Sequence, residues 1–283
     1  MDRLAGRPFT EGMYAITGIT GHVGGATVRA LRAVGERVRA VTRGPGGADF
    51  MDRRALAAAF AGCDGAFVLL PTDPALDDAG HRRMADSIAA AVEASGVPHV
   101  VALSSVGADQ PDGTGPIRWL HHLENGLRAT GARVTALRSP HFQEKVSAVL
   151  GAAAGGIYPV FGSADVPTPM VATRDVGAVV ARALVSPPAA SEVVDLAAPR
   201  YTEREVAAAL GAVLGRALSL VTVPRAGWAD ALRGAGVPPT LVGELVALYD
   251  AEERGSLRPC GDRMVSCATP LAETLRTVVG VPA

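Results

Sequence analysis

At 283 residues, with a formal net charge of −1 and 48% apolar residues, the chain can bury one large core and carries no electrostatic signature of a nucleic-acid or anionic-membrane binder. No stretch approaches the roughly 20 continuous apolar residues of a membrane span, and Met1-Asp2-Arg3 lacks the apolar core of a signal peptide. Cys63, Cys260 and Cys267 are odd in number and scattered, which argues against a disulfide framework or a metal site and suits a cytoplasmic protein.

Residues 1–12 read as a flexible leader. The apolar run at 13–17 suits a buried strand, and Thr17-Gly18-Ile19-Thr20-Gly21-His22-Val23-Gly24-Gly25 must then turn sharply into a helix over 22–34. Gly18 permits the bend, and Gly21 removes a Cβ where a pyrophosphate would approach the backbone. Gly24 lets the helix lie close on the strand with its N-terminal amides facing the anion. This pattern, with a strand before it and a helix after it, points to a dinucleotide cofactor. A second strand follows on schedule at 37–42. A third should come next, yet 44–51 is rich in glycine and carries a proline. That strand is expected to be missing or reduced to a stub around 48–50, leaving the adenine end of the site open.

Helices over 52–60, 75–95, 117–130 and 173–185 then alternate with strands over 65–70, 99–104, 134–137 and 193–197. Gly96 stands where a helix C-cap belongs, and Thr173 or Asp175 suits the cap of the helix that follows. After 137 the texture turns irregular. A short strand and turn are expected over 155–162, a helix over 202–214, a strand over 218–223, and helices near 225–234 and 238–254. The expected architecture is α/β: a Rossmann-type doubly wound parallel sheet over 13–150, completed by about 171–200, its third strand shortened or missing. A small α+β substrate-binding lobe from 151–170 and 201–283 would lie over the carboxyl ends of the strands.

The first glycine segment resembles the NmrA-like branch of the atypical short-chain dehydrogenase/reductases, which includes NAD(P)H-dependent quinone oxidoreductases of similar size. So do Val41-Thr42-Arg43, Asp49-Phe50 before a helix, the segments 61–71 and 96–108, Leu137-Arg138-Ser139-Pro140-His141-Phe142, and Val171-Ala172-Thr173-Arg174-Asp175-Val176. The resemblance covers most of the chain and implies a Rossmann core, a C-terminal substrate lobe and a preference for NADP(H). It puts Gly18, Thr20, Gly21, His22, Val23 and Gly24 around the pyrophosphate and Asp49 and Phe50 beside the adenine. Leu70, Pro71, Ser104 and Ser105 would flank the nicotinamide half. Arg43 supports the same preference independently, because a guanidinium at the end of strand two grips a 2′-phosphate where an acidic residue would bind a ribose hydroxyl. Its alternative is a solvated arginine before a turn.

The Tyr and Lys pair usual in short-chain reductases is missing from the helix Ile117-Arg118-Trp119-Leu120-His121-His122-Leu123-Glu124-Asn125-Gly126-Leu127-Arg128. Leu120 stands where NmrA-like relatives often carry a Lys. Three readings stay open: direct hydride transfer to a quinone or conjugated carbonyl, a reduction with His121 or His122 as proton donor, and NADP(H) binding without turnover. A redox-neutral enzyme, such as an epimerase, dehydratase or cyclase, is a further alternative. Ser105 would polarise a substrate carbonyl or merely close a turn. His141 and Phe142 would border the nicotinamide or substrate, or pack the lobe. Trp119 and Trp228 would line an aromatic pocket, or be core. Glu124 looks structural. The expected partners are a small aromatic or quinone-like molecule and, as an option left open, a second copy of the chain.

Overall fold

The computed structural model describes residues 11–42 and 47–280. The first half alternates as expected: β1 (Met13–Thr17), α1 (His22–Ala33), β2 (Arg37–Val41), α2 (Arg53–Phe60), β3 (Gly65–Val68), α3 (Asp78–Ser95), β4 (His99–Ser105), α4 (Ile117–Arg128) and β5 (Arg133–Ser139). The chain then leaves the sheet through β6 (His141–Phe142), a 3₁₀ segment (Gln143–Val149), α5 (Leu150–Ala154), β7 (Ile157–Phe161) and β8 (Thr168–Val171). It returns with α6 (Thr173–Val185) and β9 (Glu192–Ala197). Next come β10 (Arg200–Tyr201), α7 (Glu203–Leu214), β11 (Ser219–Val223), a 3₁₀ turn (Arg225–Gly227), α8 (Trp228–Gly234), α9 (Pro239–Glu253), β12 (Arg263–Ser266) and α10 (Leu271–Val279).

Among the described residues, seven parallel strands form the central sheet in the order β12-β9-β5-β4-β3-β1-β2. Residue alternation along each strand feeds two cores, because successive side chains of a strand point to opposite faces. Ala15, Ala66, Val68, Val100 and Ala102 meet Leu56, Phe60, Ile88, Leu123 and Leu127 of α2, α3 and α4. Tyr14, Ile16, Phe67 and Val101 meet Leu31 of α1 and Val176, Val180 and Leu184 of α6 on the other face. Leu31, Leu56, Phe60 and Leu127 are completely buried, and each such side chain contributes about 1.5–3 kcal/mol. Helix α6 approaches α1 so closely that a Cβ on Gly177 would sit 2.5 Å from Ala26 Cβ and 2.7 Å from Thr27 N. A third core of Val146, Tyr158, Val160, Met170, Leu210 and Leu275 holds the lobe. Among the described residues no helix is long and apolar enough to cross a membrane.

Of the two outcomes expected for the third strand, it is missing: among the described residues no strand lies outside β2, and 48–50 forms no stub. Ala48 and Phe50 are buried in the core instead, and the Ala48 N–H donates to Thr42 O at 2.8 Å. Residues 263–266, expected in the lobe, join the main sheet beside β9. Their side chains are mostly exposed, so no apolar alternation betrays the strand. Neither Thr173 nor Asp175 caps α6, whose N-cap is Ala172. The Thr173 N–H and hydroxyl donate to Glu144 Oε1 at 2.9 and 2.6 Å, and Asp175 accepts from the Thr269 N–H and hydroxyl at 3.0 and 2.7 Å. Gly96 does terminate α3, in the left-handed conformation at φ 64°.

One buried histidine makes stability pH-dependent. His99, at the start of β4, places Nε2 3.1 Å from Thr135 Oγ1, while its Nδ1 is buried without a partner among the described residues. Burial above all, helped by the Arg133 charge, pushes its pKa from 6.5 down to about 4. Between those values the unfolded chain takes up a proton that the folded one refuses, so stability falls as pH drops through this window. The contribution is about 3 kcal/mol. Denaturant unfolding at pH 7 and near pH 4 should show this loss, and His99→Gln should remove that share of it; an unchanged slope in the variant would contradict the assignment.

Candidate active site

A cleft of about 1000 Å³ opens at the carboxyl ends of β1, β3, β4 and β5, where the strand order reverses, and the lobe covers it. Its floor begins at the turn after β1. Gly18 adopts φ 63°, which L side chains rarely tolerate, and accepts a hydrogen bond from the Gly21 N–H at 2.9 Å. A Cβ on Gly24 would lie 2.2 Å from Gly18 O, so only glycine lets α1 start this close to the strand. Gly21 is the N-cap of α1 in ordinary extended geometry, φ −87° and ψ 171°, yet it offers no side-chain cap. No acidic residue stands in the first turn of α1. The helix therefore presents uncapped amides and the positive end of its dipole to the cleft, which fits the diphosphate of a dinucleotide.

Next to the turn, Leu69 and Leu70 line the cleft, followed by Ser104 and Ser105 at the end of β4. The Ser104 hydroxyl donates to Glu124 Oε1 at 2.5 Å. Glu124 also receives Arg138 Nε and Nη2 at 3.0 and 2.8 Å and Arg128 Nη2 at 2.7 Å. Glu124 is 1% and Arg138 5% exposed, so this is a buried ionic network. It fixes α4 to the ends of β4 and β5. The Ser105 hydroxyl donates to Val106 O and Ser139 O at 3.1 and 3.4 Å, closing the turn behind it.

The lobe wall is more polar. His141 Nε2 lies 2.9 Å from Glu252 Oε1, joining β6 to α9 across the cleft. Lys145 Nζ sits 2.5 Å from Glu203 Oε1, and the Tyr158 hydroxyl donates to Glu203 Oε2 at 2.7 Å. Burial, seconded by the neighbouring Glu203 carboxylate, pushes the Tyr158 phenol up. Burial acts to raise the Glu203 carboxyl too, but the Lys145 cation and the two hydrogen bonds outweigh it and hold it below its ordinary value.

The chain matches the NmrA-like family over residues 11–257. It belongs to that family. It is 34% identical over 224 residues to the (4-alkanoyl-5-oxo-2,5-dihydrofuran-3-yl)methyl phosphate reductase of Streptomyces griseus subsp. griseus, a match covering 73% of this chain and 75% of that protein. It is 27% identical over 255 residues to the NAD(P)H azoreductase of Xenophilus azovorans, covering 84% and 86% of the two chains. Among solved structures, the Citrobacter sp. triphenylmethane reductase complexed with NADP(H) superposes with a TM-score of 0.73 at 21% identity, over 94% of this chain and 99% of that one. That likeness concerns the fold.

In this NmrA-like protein the cleft gathers Gly18, Gly21, His22, Val23 and Gly24 with Leu70, Ser104, Ser105, His141 and Phe142, all singled out from sequence. The other expected residues lie elsewhere. Thr20 is exposed, and neither it nor Pro71 lines the cleft. Asp49 is exposed, its carboxylate accepting from the Met51 N–H at 2.8 Å, and Phe50 is turned into the core. Arg43 lies outside the described residues.

The histidines and tryptophans need correction most. His121 Nδ1 pairs with Ala108 O at 2.8 Å and its Nε2 with Asn125 at 2.9 Å, whereas His122 pairs with Asp86 of α3 at 2.7 Å. Neither lines the cleft. The positions of α4 that do are Ile117 and Leu120, one turn apart and both apolar. Trp119 is 2% exposed, stacks on His81 with ring centroids 3.7 Å apart, and donates to Asp78 Oδ1 at 2.8 Å. Trp228 is 1% exposed, packs edge-on against Tyr249 and donates to Val223 O at 3.0 Å. Both indoles are core. Sequence reasoning missed Leu69, Leu120 as a lining residue and, above all, Lys145. The signal for the last was available, since Lys145 is the single lysine among 27 basic Lys and Arg residues.

Proposed function

We propose that this protein is an NADP(H)-dependent reductase of a quinone or another conjugated carbonyl compound. The observation that carries the reading is the uncapped start of α1 at Gly21, with glycine enforced at Gly18 and Gly24, opening into a cleft whose α4 wall is apolar. When bound, reduced nicotinamide supplies a hydride. The amides at Gly21 to Gly24 hold the diphosphate, Leu70, Ser104 and Ser105 flank the nicotinamide half, and Arg43 reads the 2′-phosphate. Ile117 and Leu120 orient the flat acceptor and exclude water. A conjugated acceptor carries its own electron sink, so α4 need not offer it an acid. The two relatives support this: one is named an NAD(P)H azoreductase, and the other is named for an acyl-bearing dihydrofuranone phosphate.

Fluorescence titration should give tighter binding of NADPH than NADH, with Arg43→Ala erasing the difference. Steady-state NADPH oxidation should then appear with some member of a panel of quinones and cyclic enones. Absence of any calorimetric heat with all four pyridine dinucleotides would overturn the reading. Binding without turnover across the panel would instead favour a regulatory NADP(H)-binding protein, a reading that the absence of any acid on the cleft face of α4 also supports.

A further inference from the structure

Among the described residues the cleft contains one amine, and composition makes its placement informative. Every other basic side chain apart from histidine is an arginine. An arginine at 145 would pair with Glu203 as well as a lysine does, or better, since its planar fork matches a carboxylate. What a guanidinium cannot do is release a proton, whereas an ammonium can. Lys145 lies in the 3₁₀ segment that follows β6, at the carboxyl end of the sheet, and lines the same cleft as Ser104 and the Gly21 turn.

The surroundings single it out further. Other charged and titratable groups line the cleft or reach Glu203: Glu144 beside it in the chain, His141 on β6, Arg200 on β10 and Glu252 on α9 line it, and Tyr158 on β7 binds Glu203 of α7. Most are committed. Glu144 receives the Thr173 N–H and hydroxyl, His141 Nε2 lies 2.9 Å from Glu252 Oε1, Tyr158 is bound to Glu203, and Arg200 donates to Pro167 O. Lys145 carries three N–H donors, its one partner among the described residues is Glu203 at 2.5 Å, and a third of its side chain is exposed.

We propose that Lys145 is a catalytic residue of this cleft: its ammonium binds the carbonyl oxygen of the conjugated substrate and protonates it during reduction. The inference rests on the reductase reading above. Hydride, supplied by the reduced nicotinamide dinucleotide as two-electron donor, forms a C–H bond at the substrate β-carbon. The C=C pair shifts toward the carbonyl and leaves its oxygen as an oxyanion. One Lys145 N–H bond then breaks as an O–H bond forms, and nitrogen keeps the electron pair as a neutral amine. After the enol leaves, water admitted to the cleft returns the proton to the amine, and the released enol tautomerises in solution. Glu203 positions the amine through its 2.5 Å contact with Nζ.

The single lysine makes the test selective. Reductive dimethylation with isotope-labelled formaldehyde keeps the charge and one N–H, and it gives one side-chain NMR signal, distinct from that of the terminal amine. Adding menadione to the labelled protein saturated with NADP+ should shift that signal. Lys145→Met should lower kcat at least about 100-fold, the range of one lost general acid, with NADPH affinity unchanged. Lys145→Arg, which keeps the Glu203 pair and guards against misfolding, should restore KM but not kcat and should lose the alkaline limb of the kcat profile. A menadione-insensitive signal, or Lys145→Met retaining kcat within about threefold of the parent, would overturn the proposal. Wild-type protein that binds no dinucleotide or turns over no acceptor would overturn the reductase reading itself, a result distinct from either.

Discussion

Gly21→Asp is expected to weaken dinucleotide binding at least about 100-fold, some 3 kcal/mol, while leaving the fold as stable as before. The two effects separate because position 21 is the N-cap of α1 in a backbone conformation, φ −87° and ψ 171°, that any residue adopts. A Cβ there would meet only Gly18 O, at 3.3 Å, so the neighbour shifts by a few tenths of an ångström at most. Aspartate is moreover among the preferred N-cap residues, since its carboxylate accepts from the amides of the first turn. It would satisfy the donors that the proposed diphosphate site offers and add a like charge where the diphosphate is proposed to sit. Thermal unfolding should place the variant within about 1 kcal/mol of the parent, and NADPH titration should show the loss. Unimpaired binding would mean that the diphosphate lies elsewhere in the cleft.

The second large effect is structural. Replacing Glu124 by Leu should cost about 3–5 kcal/mol, because it strands the Arg138 guanidinium, 5% exposed, without its carboxylate. Burial opposes the charge on Arg138, but the hydrogen bonds and charge of Glu124 outweigh it and hold the pKa above its ordinary value. Asp109, 3.8 Å from Nη1 and 44% exposed, is a poor substitute. Replacing both partners, Glu124→Leu with Arg138→Met, should recover most of the loss, since apolar side chains of similar volume often match a buried ion pair. A double variant no more stable than Glu124→Leu alone would show that the cost is steric. Because the Ser104 hydroxyl donates to the same carboxylate, the single variant should also loosen the floor of the cleft, seen as a raised KM.

The glycine turn was legible because its demands are local. The positive φ at Gly18 and the contact between Gly24 and the turn involve residues a few positions apart, so a three-residue spacing between a strand and a helix is enough to announce them. Strands buried on both faces likewise announce themselves as short apolar runs. The strand at 263–266 did not, because as an exposed sheet edge it needs no apolar alternation. The face that α4 shows the cleft was equally hidden. Its helical period places Leu120, His121 and His122 about 100° apart but does not say which one points inward. Asp86 of α3 and the carbonyl of Ala108 decide that by claiming the two histidines.

By itself, then, the order of residues determined the alternating architecture, the glycine turn after β1 and the absence of a Tyr and Lys pair on α4, since each follows from backbone sterics or from neighbours along the chain. Tertiary structure alone decided that the tryptophans are core, that α4 turns an apolar face inward, and that Lys145 meets Glu203 across 58 positions at the edge of the cleft. Those outcomes depend on which buried partners satisfy each polar group, and such partners are distant in the chain.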